Sequence, residues 1–207
     1  MTLTQGYWLA DSECTQALWL TVMGDSPSNF SGNPQLPVEQ VTWGDSQRFM
    51  TALAKAPCRL PTEAEWECAC RAGTTTPFSF GATITTAQAN YSGLHPYIDG
   101  APVGEDRKRT LPVKSLAMNA WGLYDMHGNV SEWCSDWYAF YPSAPASDPQ
   151  GPAQASRNGP EHPFRGGSCD SHAANCRSAS RMSRGPDYRG YNVGLRVLIA
   201  AAPEAAR

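Results

Sequence analysis

Asn119-Ala120-Trp121-Gly122-Leu123-Tyr124-Asp125-Met126-His127-Gly128-Asn129-Val130-Ser131-Glu132-Trp133 is the stretch on which the fold turns. Its apolar residues follow neither the spacing of an amphipathic helix nor the strict alternation of a half-buried strand. The aromatic run continues through Trp137, Tyr138, Phe140 and Tyr141, among small and acidic residues. No helix or long strand accounts for it, so this region is expected to be irregular backbone, with Trp133, Trp137 and Tyr138 turned into the core.

Regular elements are expected on either side. Tyr7-Trp8-Leu9 reads as an early strand, and Thr15 caps a helix over Gln16 to Met23 that stops at Gly24. Val38 to Trp43 alternates apolar and polar residues as a strand would, and Asp45 then caps a helix with Phe49, Met50 and Leu53 on one face. Thr62-Glu63-Ala64-Glu65 is a capping box, in which hydroxyl and carboxylate satisfy each other's backbone amides, opening a third helix that ends near Gly73. Thr74 to Leu116 shows little periodicity and Pro142 to Pro163 suits a long surface loop. Val193 to Ile199 reads as one buried closing strand, and the last seven residues are expected to fray.

Composition narrows the function classes. The 207 residues suit a single domain over 1–207, and Gly and Pro make up about one residue in six, above the usual level of about one in eight. A formal charge of −3 gives no footprint for a phosphate backbone, so nucleic acid is not an expected partner. No apolar run approaches a membrane span, and Met1 to Gly6 has neither the basic nor the apolar region of a signal peptide, which predicts a cytoplasmic chain. Seven cysteines without a CxxC pair read as buried, reduced thiols. No phosphate loop, Gly-x-Ser-x-Gly elbow or His-x-x-x-His pair is present, and His95, His127, His162 and His172 show no metal-ligand spacing.

Three motifs fall in one order: Arg59-Leu60-Pro61-Thr62-Glu63-Ala64-Glu65-Trp66-Glu67, the stretch from Asn119 to Trp133, and Arg165-Gly166-Gly167-Ser168. With Glu13 to Gln16, Arg177 to Arg181 and Gly194-Leu195-Arg196, they cover nearly the whole chain. The chain resembles the formylglycine-generating enzyme, or sulfatase-modifying factor, family. The resemblance implies an α+β fold, a complex C-type-lectin-like variant with little regular secondary structure. In those enzymes two cysteines with four residues between them follow the Arg-Gly-Gly-Ser segment, bind copper and oxidise a substrate cysteine. Here Cys169 and Cys176 are separated by six residues, and the place three after Ser168 is Ser171. Copper(I) wants two converging thiolates, so copper is not an expected cofactor and no catalytic residue is assigned. Cys169 and Cys176 as a redox pair form the alternative, an oxidase reading.

The chain also resembles the variable proteins of diversity-generating retroelements, which share the fold and rewrite a C-terminal patch at adenines of Asn-type codons. Residues reachable from an AAC codon cluster from Cys169 to Asn192. The implied ligand-binding set, within segment 169–192, is Cys169, Asp170, Ser171, His172, Asn175, Ser180, Met182, Ser183, Arg184, Tyr188 and Tyr191. Tyrosine supplies rigid contact area there, and Ser and Asn supply adaptable hydrogen bonds. The expected role is a non-catalytic, monomeric binder of a protein or other macromolecular ligand. The resemblance further implies a structural calcium site at Asp125, Gly128, Val130 and Glu132, oxygen donors of the kind Ca²⁺ takes. A second calcium site would use Asn90 and the Tyr91 carbonyl with Glu105 or Asp106 as its acid.

Overall fold

The computed structural model describes residues 1–53, 57–156 and 159–201. Helix α1 (Gln16–Met23) begins where Thr15 accepts from the Leu18 amide and ends at Gly24 in the left-handed region, as its sequence signals require. Helix α2 (Trp43–Leu53) opens on a reciprocal pair: Thr42 N donates to Asp45 Oδ2 and Asp45 N donates to Thr42 Oγ1, both at 2.9 Å. Thr42 therefore takes the capping role expected of Asp45, which answers it from inside the first turn. Helix α3 (Glu63–Arg71) carries the expected capping box and ends at Ala72, one residue before Gly73.

The strands are short. Strands β1 (Tyr7–Leu9), β2 (Cys58–Arg59) and β7 (Leu198–Ala200) make an antiparallel sheet in the order β1-β7-β2. Strands β3 (Ser131–Trp133), β4 (His162–Arg165), β5 (Met182–Arg184) and β6 (Val193–Gly194) make a second sheet in the order β5-β4-β3-β6, with β3 and β6 parallel.

Two expectations are corrected. Val38 to Trp43 forms no strand, because Gln40 turns into the left-handed region at φ 64° and the chain enters α2 at Trp43, although Val38 and Val41 are buried. The expected single strand from Val193 to Ile199 is two strands in different sheets. Between them the buried Arg196 reaches Glu132 of β3, the Ala10 carbonyl and the Tyr124 carbonyl, so the closing segment links both sheets.

The main core gathers Trp19, Val41, Phe49, Leu60, Trp133, Phe164 and Leu195, with Trp19 stacked on Phe49 at 5.1 Å. The aromatic stretch forms no helix or long strand, as expected, but its residues Ser131–Trp133 are the short strand β3 rather than irregular backbone. Trp133 is buried and donates to the Val41 carbonyl at 3.0 Å, while Trp137 and Tyr138 are half-buried. Among the described residues no helix is long and apolar enough to cross a membrane. Of the seven residues expected to fray, 202–207 lie outside the described ones.

Candidate functional site

The segment after β4 leaves the interior at Asp170, skirts a 3₁₀ turn (Ala173–Cys176) and returns along β5 to Tyr191. Asp170, His172, Asn175, Arg184 and Tyr191 are exposed, and Ser171, Ser180 and Ser183 are half-buried. Met182 and Tyr188 are half-buried against the main core, Tyr188 lying parallel to Phe164 at 6.4 Å, so they are partly scaffold.

Cys169 departs from the expected displayed set. It is fully buried, its amide bonded to the Asn129 carbonyl at 2.9 Å, and so cannot meet a ligand from solvent.

The displayed surface is held by its own polar contacts. Asp170 accepts from Tyr191 Oη at 2.7 Å, from Ser168 Oγ at 2.6 Å and from Asn192 Nδ2 at 3.3 Å. Burial opposes its ionisation, but these donors outweigh it and hold the carboxyl below its usual range. The same contact pushes the Tyr191 phenol up to about 12. Tyr191 also meets Phe30 edge-on at 6.0 Å, and Ser183 donates to Glu161 at 2.6 Å. His172 stacks on His95 at 3.9 Å, a pairing that sequence spacing hides because 77 positions separate them.

The thiols are placed differently. Cys169 and Cys176 are both buried and free. Burial, helped by Asp170 and Glu13, pushes Cys169 up to about 12, and burial raises Cys176 as well. Thiolates are the metal-binding and nucleophilic form of cysteine, and burial disfavours that form at both thiols. The family's four-residue interval falls between Ser171 and Cys176, which puts a hydroxyl where one thiol of the pair would stand.

Beneath this surface lies a cluster of buried charge that sequence spacing could not assemble. Glu132 accepts from Arg196 at 2.7 Å and from the Trp66 indole at 2.7 Å. Glu13 accepts from Asn129 Nδ2 at 2.6 Å and the Val130 amide at 2.9 Å, and Asp125 accepts from the Lys114 amide at 2.9 Å. Burial first, then Asp125 and Glu132, raises Glu13 well above its ordinary value, and burial raises Asp125. Three carboxyl groups thus face the buried Arg196, which is their cation; among the described residues no group of three or more His, Cys, Asp or Glu side chains is placed to hold a metal ion.

Gly128 joins this cluster to Asn90. At φ 101° its missing Cβ would stand 2.3 Å from the Asn90 carbonyl oxygen, and Asn129 N donates to that oxygen at 2.7 Å. Asn90 Oδ1 is buried and has no hydrogen-bond partner among the described residues. Both candidate acids are paired: the exposed Glu105 side chain with Arg107 at 2.7 Å, and the mostly buried Asp106 side chain with Lys108 at 3.8 Å. The orphaned Asn90 oxygen is a donor of the kind Ca²⁺ takes.

Residues 3–201 match the family described as the sulfatase-modifying factor enzyme 1-like domain. The chain is 36% identical over 195 residues to the formylglycine-generating enzyme of Streptomyces coelicolor, a match covering 86% of this chain and 59% of that one. It is 34% identical over 194 residues to the Bos taurus formylglycine-generating enzyme, covering 86% of this chain and 50% of that one. The chain therefore spans about half to three fifths of the length of these relatives. Among solved structures, Treponema denticola variable protein 1 superposes with a TM-score of 0.79 at 28% identity, over 94% of this chain and 84% of that one. The motifs, the fold and the match across residues 3–201 place this chain in the sulfatase-modifying factor enzyme 1-like domain family, on the expected α+β, C-type-lectin-like fold.

Proposed function

We propose that this chain is a ligand-binding protein without the family's oxidase chemistry, displaying the surface of segment 169–192 as the variable proteins of diversity-generating retroelements do. One contrast carries this reading: Cys169 and Cys176 are buried and held protonated, while Asp170, His172, Asn175, Arg184 and Tyr191 of the same segment face solvent. The ligand is a protein or other macromolecule. Asp170 fixes Tyr191 and Asn192 before any ligand arrives, and such preorganisation lowers the ordering cost of binding. The likeness to Treponema denticola variable protein 1 supports the reading.

The rival reading is a copper-dependent oxidase acting on a substrate cysteine. It draws on the 36% identity with the Streptomyces coelicolor enzyme. With Ser171 at the four-residue interval before Cys176, that interval carries one thiol rather than the two soft ligands that copper(I) prefers. The two readings part in one experiment. Incubated with copper(I) and a sulfatase-type cysteine peptide, the wild-type chain should produce no aldehyde, and a library randomised at His172, Asn175, Ser183, Arg184 and Tyr191 should stay folded while its ligand preference changes. Each exposed substitution should shift stability within about 0.5 kcal/mol. Aldehyde formation that vanishes in Cys176→Ser overturns the binding reading, and so does a library that loses cooperative unfolding.

Calcium belongs to the same proposal as a structural ion. Asp125 and Glu132, with the Gly128 and Val130 carbonyls, would hold one ion, and Asn90 with Asp106 a second. A ligand that binds only the folded chain raises its melting temperature by mass action. Wild-type melts with calcium and with a chelator should therefore differ. The difference should shrink in Asp125→Gly, chosen because Asp125 sits at φ 59°, where glycine is unstrained. Coincident wild-type melts, with no calcium by elemental analysis, would remove both sites.

A further inference from the structure

Residues 136–152 fold back over the start of α3 and border a groove of about 740 Å³, within the size range of small-molecule sites. Trp137, Phe140 and Tyr141 line it together with Pro142, Pro145 and Pro149. Phe140 is 88% exposed and Tyr141 60%, the latter covered by Arg181 on one face.

The groove's charges are unevenly matched. Glu63 is held by Arg181 through two 2.6 Å bonds and faces Arg165 at 3.6 Å. Glu67 is paired with Arg71 at 2.8 Å and with Arg165. Asp136 has no ion-pair partner among the described residues. It accepts from the Glu63 amide at 2.7 Å, and the bend at Gly151 rests on it so closely that a Cβ there would stand 2.8 Å from the Asp136 Cβ. Burial, then Glu63, lifts its carboxyl to about 6, and no cation answers it among the described residues.

The rings already accept positive charge on one side, since the Arg181 guanidinium lies 3.9 Å from the Tyr141 centroid and 4.6 Å from that of Tyr138. An anionic ligand would meet Asp136 and would find Arg181 occupied by both oxygens of Glu63. A neutral apolar ligand would leave the unpaired carboxylate covered and uncompensated, which is costly. We propose that this groove binds a primary ammonium group carried on an aromatic or aliphatic body, with Asp136 taking the ammonium and Trp137, Phe140 and Tyr141 taking the body. The site does not depend on the display reading above.

The test is calorimetric titration of the full chain near neutral pH with phenethylamine, and with 2-phenylethanol, which keeps the ring and lacks the charge. Phenethylamine should bind at one site per chain, and the alcohol more weakly by about tenfold or more. Asp136→Asn retains an acceptor for the Glu63 amide and should lose that preference for the amine. Phe140→Ala removes an exposed ring, so it should leave the melting temperature unchanged and weaken the amine by about fivefold or more. It carries the test alone if Asp136→Asn does not fold. No binding of phenethylamine, equal binding of amine and alcohol, or amine affinity unchanged in the folded variants would overturn the assignment.

Discussion

The Arg196→Met variant should be less stable than the wild-type chain by about 3 to 5 kcal/mol, the usual cost of removing one partner from a buried ion pair. Arg196 is fully buried, and its guanidinium joins Glu132 to the carbonyls of Ala10 and Tyr124. Methionine fills similar space, so the loss comes from charge and hydrogen bonds rather than from a cavity. Glu132, Glu13 and Asp125 would then lack their buried cation. Adding Glu132→Gln removes one of these charges while keeping an acceptor for the Trp66 indole. The double variant should therefore recover part of the loss. Denaturant unfolding of wild type, both single variants and the double variant measures this, and a cost below about 1 kcal/mol for Arg196→Met would show that the pair contributes little.

Trp133→Ala should cost a similar amount, about 3 to 5 kcal/mol, as a large aromatic truncated in a packed core. Trp133 is fully buried, meets Phe164 edge-on at 5.3 Å and donates its indole proton to the Val41 carbonyl at 3.0 Å. The substitution leaves a cavity and an unpaired carbonyl together. Trp8 provides the contrast: it is 75% exposed on β1, and Trp8→Ala should stay within about 0.5 kcal/mol. Chemical denaturation of the two variants reads the difference directly. Equal losses would mean that burial does not rank these two tryptophans.

Local chemistry made α1 and α3 legible, because the bonds that start and stop them lie within a few residues: Thr15 with Leu18, Thr62 with Glu65, and Gly24 at the end of α1. Alternation misled at Val38 to Trp43, where both kinds of position are buried, Glu39 as well as Val38 and Val41. Loops supply the cover there, and alternation marks a strand only where one face meets solvent. At the displayed surface, residue type could not separate Cys169 from Asp170. They are neighbours in the chain, yet one faces the core and the other faces water.

The sequence by itself determined family, fold class and the capped helices α1 and α3, because ordered motifs and local capping do not depend on distant contacts. Only the tertiary structure decided how the charges and thiols are used. Glu13, Asp125, Glu132 and Arg196 are scattered along the chain, as are His95 and His172, and the packing of loops brings each group together. The burial of Cys169 and Cys176, and with it their protonation, follows from the same packing, because removing water from around a thiol disfavours its charged form.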